Sequence, residues 1–314
     1  MTGAPLKVGT RASALARAQS GQVAARLQQV LGRPVELVEV TTEGDVSRAS
    51  LASLGGTGVF VSALRDALLR GDVDIAVHSL KDLPTAPAEG IELAAVPLRE
   101  DPRDVVVARD GLTLGELPAG ARVGTGSPRR VAQIRALGLG LELVDVRGNV
   151  DTRIGKVRSG GLDAVVLARA GLSRLGRLGE VTEVLDPLQV LPAPGQGALA
   201  VECRADDEVR VVVREALEDP RTRACVSAER TVLAVLEAGC AAPLGALAEV
   251  AEGEQGEELW LRAVASSTDG ARSVRRSTSG PTTDPVALGR SLAEELLAEG
   301  AAELIDTRPI ASSK

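Results

Sequence analysis

One short pattern of strand, Gly-Thr turn and helix occurs twice in this chain of 314 residues, and it limits the possible folds more than any other feature. "KVGTRASALARAQ" (7–19) and "RVGTGSPRRVAQ" (122–133) both run from an apolar strand through a polar turn into a helix. "GDVDIAVHS" (71–79) is likewise similar to "GGLDAVVLA" (160–168). Strands that alternate with helices predict mostly parallel sheets. We therefore expect an α/β protein with two similar lobes.

The last hundred residues follow a different pattern. A helical segment near 227–237 precedes three strand-like segments, "LGALAEVAE", "ELWLRAVAS" and "ARSVRRSTS", and a final helix is predicted at about 285–299. This order predicts a small α+β domain with a three-stranded antiparallel sheet. The predicted domains are lobe 1 (residues 1–99 with 200–217), lobe 2 (100–199) and a C-terminal domain (218–314).

Composition excludes several classes of protein. A net charge of −7 and only two aromatic residues, Phe60 and Trp260, argue against nucleic-acid binding. No apolar run approaches the roughly 20 residues that span a bilayer. The start "MTGAPLKVGTRAS" lacks the core of a signal peptide, so we expect a cytoplasmic protein. Three cysteines and a single histidine, His78, predict neither a metal site nor a disulfide framework.

The turns between strands and helices carry serine and arginine, which predicts anion sites. The first turn of a helix offers free N–H groups, and a hydroxyl and a guanidinium add further donors. Pro128 suits a first helical position, where its missing N–H is not needed. The alternative is that these arginines are solvated surface residues. The residues in question are Arg11 with Ser13, Ser127 with Arg129 and Arg130, and Arg147 with Arg153 in "DVRGNVDTRIGKV" (145–157).

"VHSLKDLP" (77–84) ends an apolar strand with Lys81 and Asp82 side by side. A carboxylate at this place can act as a general acid or base, or stabilise a cation. The alternative is an exposed ion pair of little energetic value. A lone histidine within an apolar strand is more often a core residue than a catalyst, so we expect His78 to be buried.

The segment "LEAGCAAPLG" (236–245) places Cys240 just after a predicted helix, with Gly239 as its expected C′ residue. The negative end of the helix dipole raises the pKa of a thiol, which disfavours a nucleophile that ionises in every turnover. A sulfur that is alkylated once and then kept as an anchor remains compatible. Cys203 and Cys225 are expected to be buried thiols, and "LPAPGQGALAVECR" (191–204) is expected to cross between the lobes.

Eight segments, in order from residue 7 to about 247, together resemble the hydroxymethylbilane synthases, also called porphobilinogen deaminases. They are "VGTRASALA", "VHSLKDLP", "REDPRDVVV", "GTGSPRR", "RGNVDTR", "AGLSRLG", "PAPGQGALAVECR" and "AGCAAPLGA". The resemblance implies two lobes similar to type II periplasmic binding proteins, and a third domain that carries the cysteine loop.

The resemblance also implies a reaction. Such enzymes condense four porphobilinogens head to tail onto a dipyrromethane cofactor, release one ammonia at each step, and then hydrolyse off the linear tetrapyrrole of haem biosynthesis. Cys240 would hold the cofactor through a thioether, and Asp82 would stabilise the cationic azafulvene and move protons. The enzyme is expected to be a monomer. The implied carboxylate binders are Arg11, Arg129, Arg130, Arg147, Arg153 and Arg174, with Ser13, Lys81, Thr125 and Ser127 in support.

This sequence departs from the family pattern at four positions. Thr57 stands where a lysine is common, Gly126 replaces a common serine, Pro128 replaces a leucine, and Ala238 stands where glycine is frequent. Thr57 lies in the polar, glycine-rich segment 41–58, which is predicted to be a loop, and its replacement affects the ligand contacts expected there. None of the four differences falls on Asp82 or Cys240.

Two other functions are compatible with parts of the sequence. A two-lobed solute-binding protein would trap an anion without catalysis, but it would normally carry a secretion signal and has no use for a cysteine turn in a third domain. A phosphate-handling transferase could use the two helix N-termini, but the chain has no P-loop and no obvious acidic metal cluster.

Overall fold

The computed structural model describes residues 4–40, 58–239, 242–253 and 256–305, and for residues 58–60 the backbone alone. The chain divides into two compact units. Unit 1 comprises Met1–Pro102, Ala168–Gly179 and Gly195–Val226. Unit 2 comprises Arg103–Leu167, Glu180–Pro194 and Ser227–Lys314.

Unit 1 contains a five-stranded sheet of order β2-β1-β3-β10-β4. β1 lies parallel to β2 and β3, whereas β10 is antiparallel to both β3 and β4. Four of the five strands therefore run in one direction. The strands are β1 (Leu6–Thr10), β2 (Val35–Glu39), β3 (Ile75–Ser79), β4 (Ile91–Ala95) and β10 (Leu199–Arg204), and the helices are α1 (Ala14–Leu31), α2 (Gly58–Leu69), α5 (Arg169–Arg174) and α6 (Val209–Leu217).

Helix α1 is capped at both ends. The Ser13 hydroxyl accepts a hydrogen bond from the Ala16 N–H at 3.2 Å, so Ser13 is the N-cap. Gly32 ends the helix in the left-handed region, at φ 60°. The apolar face between these caps buries Val23 and Leu27 against the sheet. The helix is thereby fixed over the strand whose end carries Arg11.

Unit 2 repeats this arrangement with a second five-stranded sheet, of order β7-β6-β8-β5-β9. β6 lies parallel to β7 and β8, and β5 is antiparallel to β9. The Ser127 cap and the first-turn proline Pro128 are both present in the following helix. The elements are β5 (Asp104–Ala108), β6 (Arg122–Gly124), β7 (Glu142–Val144), β8 (Ala164–Ala168), β9 (Glu183–Val184), α3 (Pro128–Ala136) and α4 (Val150–Arg158).

The C-terminal part of unit 2 is an antiparallel sheet of order β11-β12-β13. Its strands are β11 (Leu244–Gly253), β12 (Gly256–Ser266) and β13 (Ser273–Pro281). Two helices follow, α8 (Pro285–Ala298) and α9 (Ala301–Ile305). A side chain at Gly289 would meet the Ala228 carbonyl at 2.4 Å, so a glycine is needed where α8 crosses the helix before the sheet.

That preceding helix, α7 (Pro220–Val235), begins earlier than the predicted start near 227. The carboxylate of Asp219 accepts a hydrogen bond from the Thr222 N–H at 2.7 Å, and Pro220 occupies the first turn. Asp-Pro is therefore the start signal, and it lies outside the apolar pattern from which the helix was predicted.

The end of α7 also differs from the prediction. Glu237, not Gly239, lies in the left-handed region, at φ 49°. The Ala238 N–H donates to the Leu233 carbonyl and the Glu237 N–H to the Ala234 carbonyl, both at 3.1 Å. These two bonds define a Schellman motif with Glu237 at C′. The prediction of Gly239 as the C′ residue is therefore wrong.

The structure confirms the predicted fold class. Two α/β sheets with mostly parallel strands and a three-stranded antiparallel sheet are present, and Cys203 and Cys225 are buried as predicted. His78 is also buried, with 7% of its surface exposed. Among the helices of the described residues, none combines the length and the apolar character needed to cross a membrane.

Candidate active site

The end of β1 carries the first predicted ligand-binding residues. Arg11 follows the strand and is half-buried. The hydroxyl of Ser13 is engaged by the Ala16 N–H as the helix cap. Ser13 therefore has a structural role here, and any contact with a ligand would use the remaining hydrogen-bonding capacity of the same hydroxyl.

Asp82 lies on a single turn of 3-10 helix, Leu80–Asp82, that follows β3. The buried side chains of Leu80 and Leu83 fix this turn on either side, and the Leu80 N–H donates to the Ala198 carbonyl at 3.0 Å. Asp82 itself is half-buried. Within the described parts of the chain, its carboxylate has neither a hydrogen-bond donor nor an ion-pair partner. A ligand can therefore meet a carboxylate on a rigid turn.

The neighbouring ammonium group of Lys81 is oriented by Gln196, which also belongs to unit 1. Lys81 Nζ donates to Gln196 Oε1 at 3.2 Å, and Gln196 Nε2 donates to the Pro102 carbonyl at 2.7 Å. Arg99 Nε donates to the main-chain carbonyl of Gln196 at 2.8 Å. Gln196 is 1% exposed. The sequence placed this glutamine in a crossing segment but did not predict its contact with Lys81.

Arg174 lies at the end of α5 and contacts the same segment. Its Nη2 donates to the Gly197 carbonyl at 2.7 Å. Burial lowers the pKa of Arg174, and the nearby carboxylate of Glu100 opposes that shift. Its Nε is buried and has no hydrogen-bond partner in the described residues. One donor of the predicted carboxylate binder is thus engaged by the protein, and another is unsatisfied.

A buried ionic cluster supports β3 beneath Asp82. Arg65 donates to both carboxylate oxygens of Glu202, at 3.0 and 2.7 Å. His78 Nε2 lies 3.3 Å from Glu202 Oε2. Burial alone would raise the pKa of Glu202, but His78 and Arg65 outweigh it and lower the pKa to about 2. The sequence did not predict this cluster, although a glutamate within the apolar segment "LAVECR" signals a buried partner.

In unit 2, the paired arginines of α3 converge on one buried carboxylate. Arg129 Nη2 donates to Asp104 Oδ2 at 2.8 Å and Arg130 Nη2 to Asp104 Oδ1 at 2.7 Å. Both arginines are almost fully buried, and Asp104 is 0% exposed. Burial lowers the pKa of Arg129, with Asp104 acting in the opposite direction. In the described residues, Nε of each arginine is buried without a hydrogen-bond partner.

Asp104 is the residue of unit 2 that the sequence interpretation overlooked. It begins an apolar strand, β5, whose remaining residues are valine and alanine. A carboxylate in such a strand is stable only if cations meet it. The sequence signals that such cations exist, but it does not identify Arg129 and Arg130 as the partners.

Two further arginines lie near this pair in unit 2. Burial lowers the pKa of Arg153, and the positive charges of Arg130 and Arg147 lower it further, against the carboxylate of Asp145. Arg153 Nε donates to the Gly148 carbonyl at 2.8 Å, and Arg147 forms an exposed ion pair with Asp145 at 3.2 Å. Like charges of this density favour the binding of an anion.

The supporting hydroxyls of unit 2 mainly shape the turn. Thr125 is 2% exposed, and its Oγ1 accepts from the Ser127 N–H at 3.3 Å. The Ser127 hydroxyl accepts from the Arg130 N–H at 3.5 Å, the limit for such a bond. These contacts fix the turn that presents Arg129 and Arg130.

The predicted site residues thus fall into two groups. Arg11, Ser13, Lys81, Asp82 and Arg174 belong to unit 1. Cys240 lies outside the described residues, although both flanking segments are described. The second group, in unit 2, consists of Thr125, Ser127, Arg129, Arg130, Arg147 and Arg153.

The fold and these groups define a class of protein: an α/β protein built from two similar units, with arginines at its strand ends that suit a small molecule carrying several carboxylates. A family model described as "Porphobilinogen deaminase, dipyromethane cofactor binding domain" matches residues 6–211. A second, "Porphobilinogen deaminase, C-terminal domain", matches residues 223–298.

Named proteins agree with the family models. Porphobilinogen deaminase 1 of Streptomyces coelicolor is 62% identical over 98% of this chain and 99% of its own length. Porphobilinogen deaminase of Nocardia farcinica is 57% identical over 97% of this chain and 89% of its own length. Among solved structures, a periplasmic substrate-binding protein of an ABC transporter from Coxiella burnetii covers 72% of this chain and 96% of its own, at 14% identity and a TM-score of 0.43.

The chain belongs to the porphobilinogen deaminase family. It is therefore a transferase of tetrapyrrole biosynthesis, and residues 6–211 form the part of the family that binds the dipyrromethane cofactor. The match at 223–298 argues against the alternative of a solute-binding protein, for which a C-terminal domain of this family would have no use.

Proposed function

We propose that this chain condenses four porphobilinogen molecules head to tail, releases ammonia at each step and hydrolyses off the linear tetrapyrrole hydroxymethylbilane. The match of both family domains to nearly the whole chain carries this proposal. The unpaired carboxylate of Asp82 within the described residues supports it, because the reaction creates positive charge on a pyrrole. We assign the stabilisation of that positive charge to the carboxylate of Asp82.

The side chains of unit 2 fit a dipyrromethane with several carboxylates. Burial lowers the pKa of Arg153, and the like charges of Arg130 and Arg147 lower it further. A bound carboxylate would relieve this repulsion between like charges. Bound through a thioether to Cys240, the dipyrromethane supplies the pyrrole carbon to which the first substrate is added.

Each remaining residue is assigned a role by the group that it presents. Arg11 and Arg174 would bind carboxylates in unit 1, and Arg147 and Arg153 in unit 2. Lys81 would hold a substrate carboxylate in the orientation fixed by Gln196, next to Asp82. Ser13, Thr125 and Ser127 would support these contacts through the turns that they cap.

We assign the chemical steps of the reaction to Asp82. Its carboxylate would face the pyrrole N–H groups, stabilise the cation formed when ammonia leaves, and then take up the proton released as the new carbon–carbon bond forms. Because Leu80 and Leu83 hold its turn, the carboxylate does not need to reorganise for each addition.

The proposal extends to the setting of the enzyme. Lobe 1 (1–99 with 200–217) would contribute Asp82 and Arg11. Lobe 2 (100–199) would contribute the other carboxylate-binding arginines, and the C-terminal domain (218–314) would contribute Cys240. We propose a cytoplasmic monomer that binds no nucleic acid, in keeping with the net charge of −7.

Intact mass under denaturing conditions tests the proposal. After incubation with porphobilinogen, the wild-type protein should carry the added mass of two pyrrole units, and Cys240→Ser should be folded, bare and inactive. Cys203→Ala is the matched control, because burial raises the pKa of Cys203 to about 12 and prevents its alkylation. A wild-type protein that remains bare, or a Cys240→Ser variant with wild-type turnover, would refute the assignment.

A further inference from the structure

The arginine helix of unit 2, α3, is joined to the C-terminal sheet through the buried backbone of Leu191. Leu191 is 0% exposed and lies between β9 and β10. Gln133, one helical turn after Arg129, donates from Nε2 to the Leu191 carbonyl at 3.0 Å and accepts from the Leu191 N–H through Oε1 at 2.7 Å. Arg129 Nη1 donates to the same carbonyl at 2.6 Å. The backbone N–H and carbonyl of Leu191 are thus both held by side chains of α3.

The other side of the Leu191–Pro192 segment lies against β11. The Ala246 N–H donates to the Pro192 carbonyl at 3.0 Å. A side chain at Gly245 would come within 2.8 Å of the Leu191 carbonyl oxygen, so only glycine permits this approach. Leu191 also packs with Leu247 and Val264 in an apolar cluster. The Leu191–Pro192 segment therefore contacts α3 on one side and β11 on the other.

β11 begins only four residues after Cys240, and the described residues between them are held by hydrogen bonds. The Ala242 N–H donates to the Gly239 carbonyl at 2.9 Å, and the Ser266 N–H of β12 donates to the Pro243 carbonyl at 3.1 Å. A displacement of β11 at Gly245 would therefore be passed on to Pro243 and Ala242, the described residues that follow Cys240 in the chain.

Gln133 is costly as a packing residue alone. It is 4% exposed on α3, and a buried amide must give up its hydration and its side-chain freedom. A methionine has nearly the same length and no such cost. The docking of α3 does not depend on Gln133 alone, because Arg135 Nη1 donates to the Thr268 carbonyl at 3.0 Å. The Gln133 amide thus adds directional hydrogen bonds to a docking of α3 that other contacts already support.

We propose that Gln133 is a positioning residue, which through Leu191 and Gly245 fixes the start of β11, the strand that follows Cys240 in the chain, relative to the arginines that bind the cofactor carboxylates. The inference rests on the proposed roles of Cys240 and Arg129. A cofactor tethered at one end and gripped at the other places its terminal pyrrole only as accurately as these two points are placed. Errors of about 1 Å in such placement cost up to about 100-fold in rate.

Gln133→Met is the primary test, in the cofactor-loaded enzyme. The variant should take up dipyrromethane to the wild-type extent, because the thioether needs no accurate alignment. Its kcat for hydroxymethylbilane formation should fall about tenfold while KM for porphobilinogen stays within about twofold. Gly245→Ala, which acts on the β11 side of Leu191, should likewise lower kcat and leave KM almost unchanged. The kcat of the double variant should fall no further than that of the worse single variant, because both substitutions act on the same contact at Leu191.

Thr182→Val is the matched control for lost stability. Thr182 also bridges two backbone groups of unit 2, since it accepts from the Ala108 N–H at 3.3 Å and donates to the Val106 carbonyl at 3.2 Å. The Thr182→Val variant should lower the melting temperature to about the same extent as Gln133→Met and leave kcat unchanged. A Gln133→Met enzyme whose kcat stays within twofold of that of Thr182→Val would overturn the inference. A wild-type protein that takes up no dipyrromethane would instead overturn the proposed function on which the inference rests.

Discussion

The chemistry proposed for this chain depends on one carboxylate, that of Asp82, and on the rigidity of the turn that carries it. Leu80 and Leu83 are buried on either side, so the backbone at Asp82 is set by core packing and not by a ligand. Lys81 has its own partner in Gln196. The two charged neighbours are therefore held separately by the protein and do not neutralise each other, contrary to the alternative of an exposed ion pair between them.

Asp82→Asn should separate cofactor binding from turnover. The amide is the same size and leaves the turn intact, but it neither neutralises a cation nor accepts its proton. We expect normal dipyrromethane content by intact mass and a loss of roughly 100-fold or more in kcat. Asp66→Asn, at an exposed position on α2, is the control and should remain fully active. An Asp82→Asn enzyme that keeps over half of its rate would exclude Asp82 from the chemistry.

At the scale of the helix and strand, the end of α7 contains an unfavourable backbone conformation next to the cysteine turn. Glu237 has φ 49°, which costs a residue with a Cβ atom about 1 kcal/mol relative to glycine. Its carboxylate also lies at the negative end of the helix dipole. Both effects destabilise the segment that leads to Cys240.

Glu237→Gly should stabilise unit 2 by roughly 0.5–1 kcal/mol, because the gain in backbone energy exceeds the entropy that glycine loses on folding. Glu237→Ala separates the two causes, since it removes the charge and keeps the Cβ atom, and it should recover only a small part of the gain. The fluorescence of Trp260, the only tryptophan, reports on β12 of unit 2 during urea unfolding. Equal stabilisation by glycine and alanine would attribute the effect to charge alone.

The same elements show how far sequence patterns extend. Caps are local, so the signal for Ser13, and equally for Ser127, lies within one or two turns of sequence. The prediction of Gly239 as the C′ residue was wrong because the residues that follow α7 determine where its last turn ends. Asp104 and Glu202 were missed because their partners, in α3, α2 and β3, are distant in the sequence. A buried charge in an apolar strand indicates that a partner exists but not which residue it is.

At the scale of the whole chain, charged clusters join segments that are far apart in sequence. Arg65 and Glu202 are separated by 137 positions, and their pairing with His78 ties α2, β3 and β10 together within unit 1. Asp104 does the same for β5 and α3 in unit 2. With so few aromatic residues, the cores are made of small aliphatic side chains, and these buried ions supply directional contacts between elements.

Glu202 should give the stability of the protein a defined dependence on pH. Its pKa falls from an ordinary 4.5 to about 2 on folding, so its carboxylate favours the folded state above pH 4.5 and loses this effect as the pH falls towards 2. The contribution at neutral pH is up to about 3 kcal/mol. Glu202→Gln mimics the protonated acid, so we expect it to be less stable than the wild type at pH 7, with the two free energies of unfolding converging as the pH is lowered. Urea titrations followed by circular dichroism from pH 7 to 3 measure this difference. Glu36→Gln, at an exposed position on β2, should follow the wild type throughout. A Glu202→Gln deficit that stays constant with pH would show that the buried carboxylate does not titrate in this range.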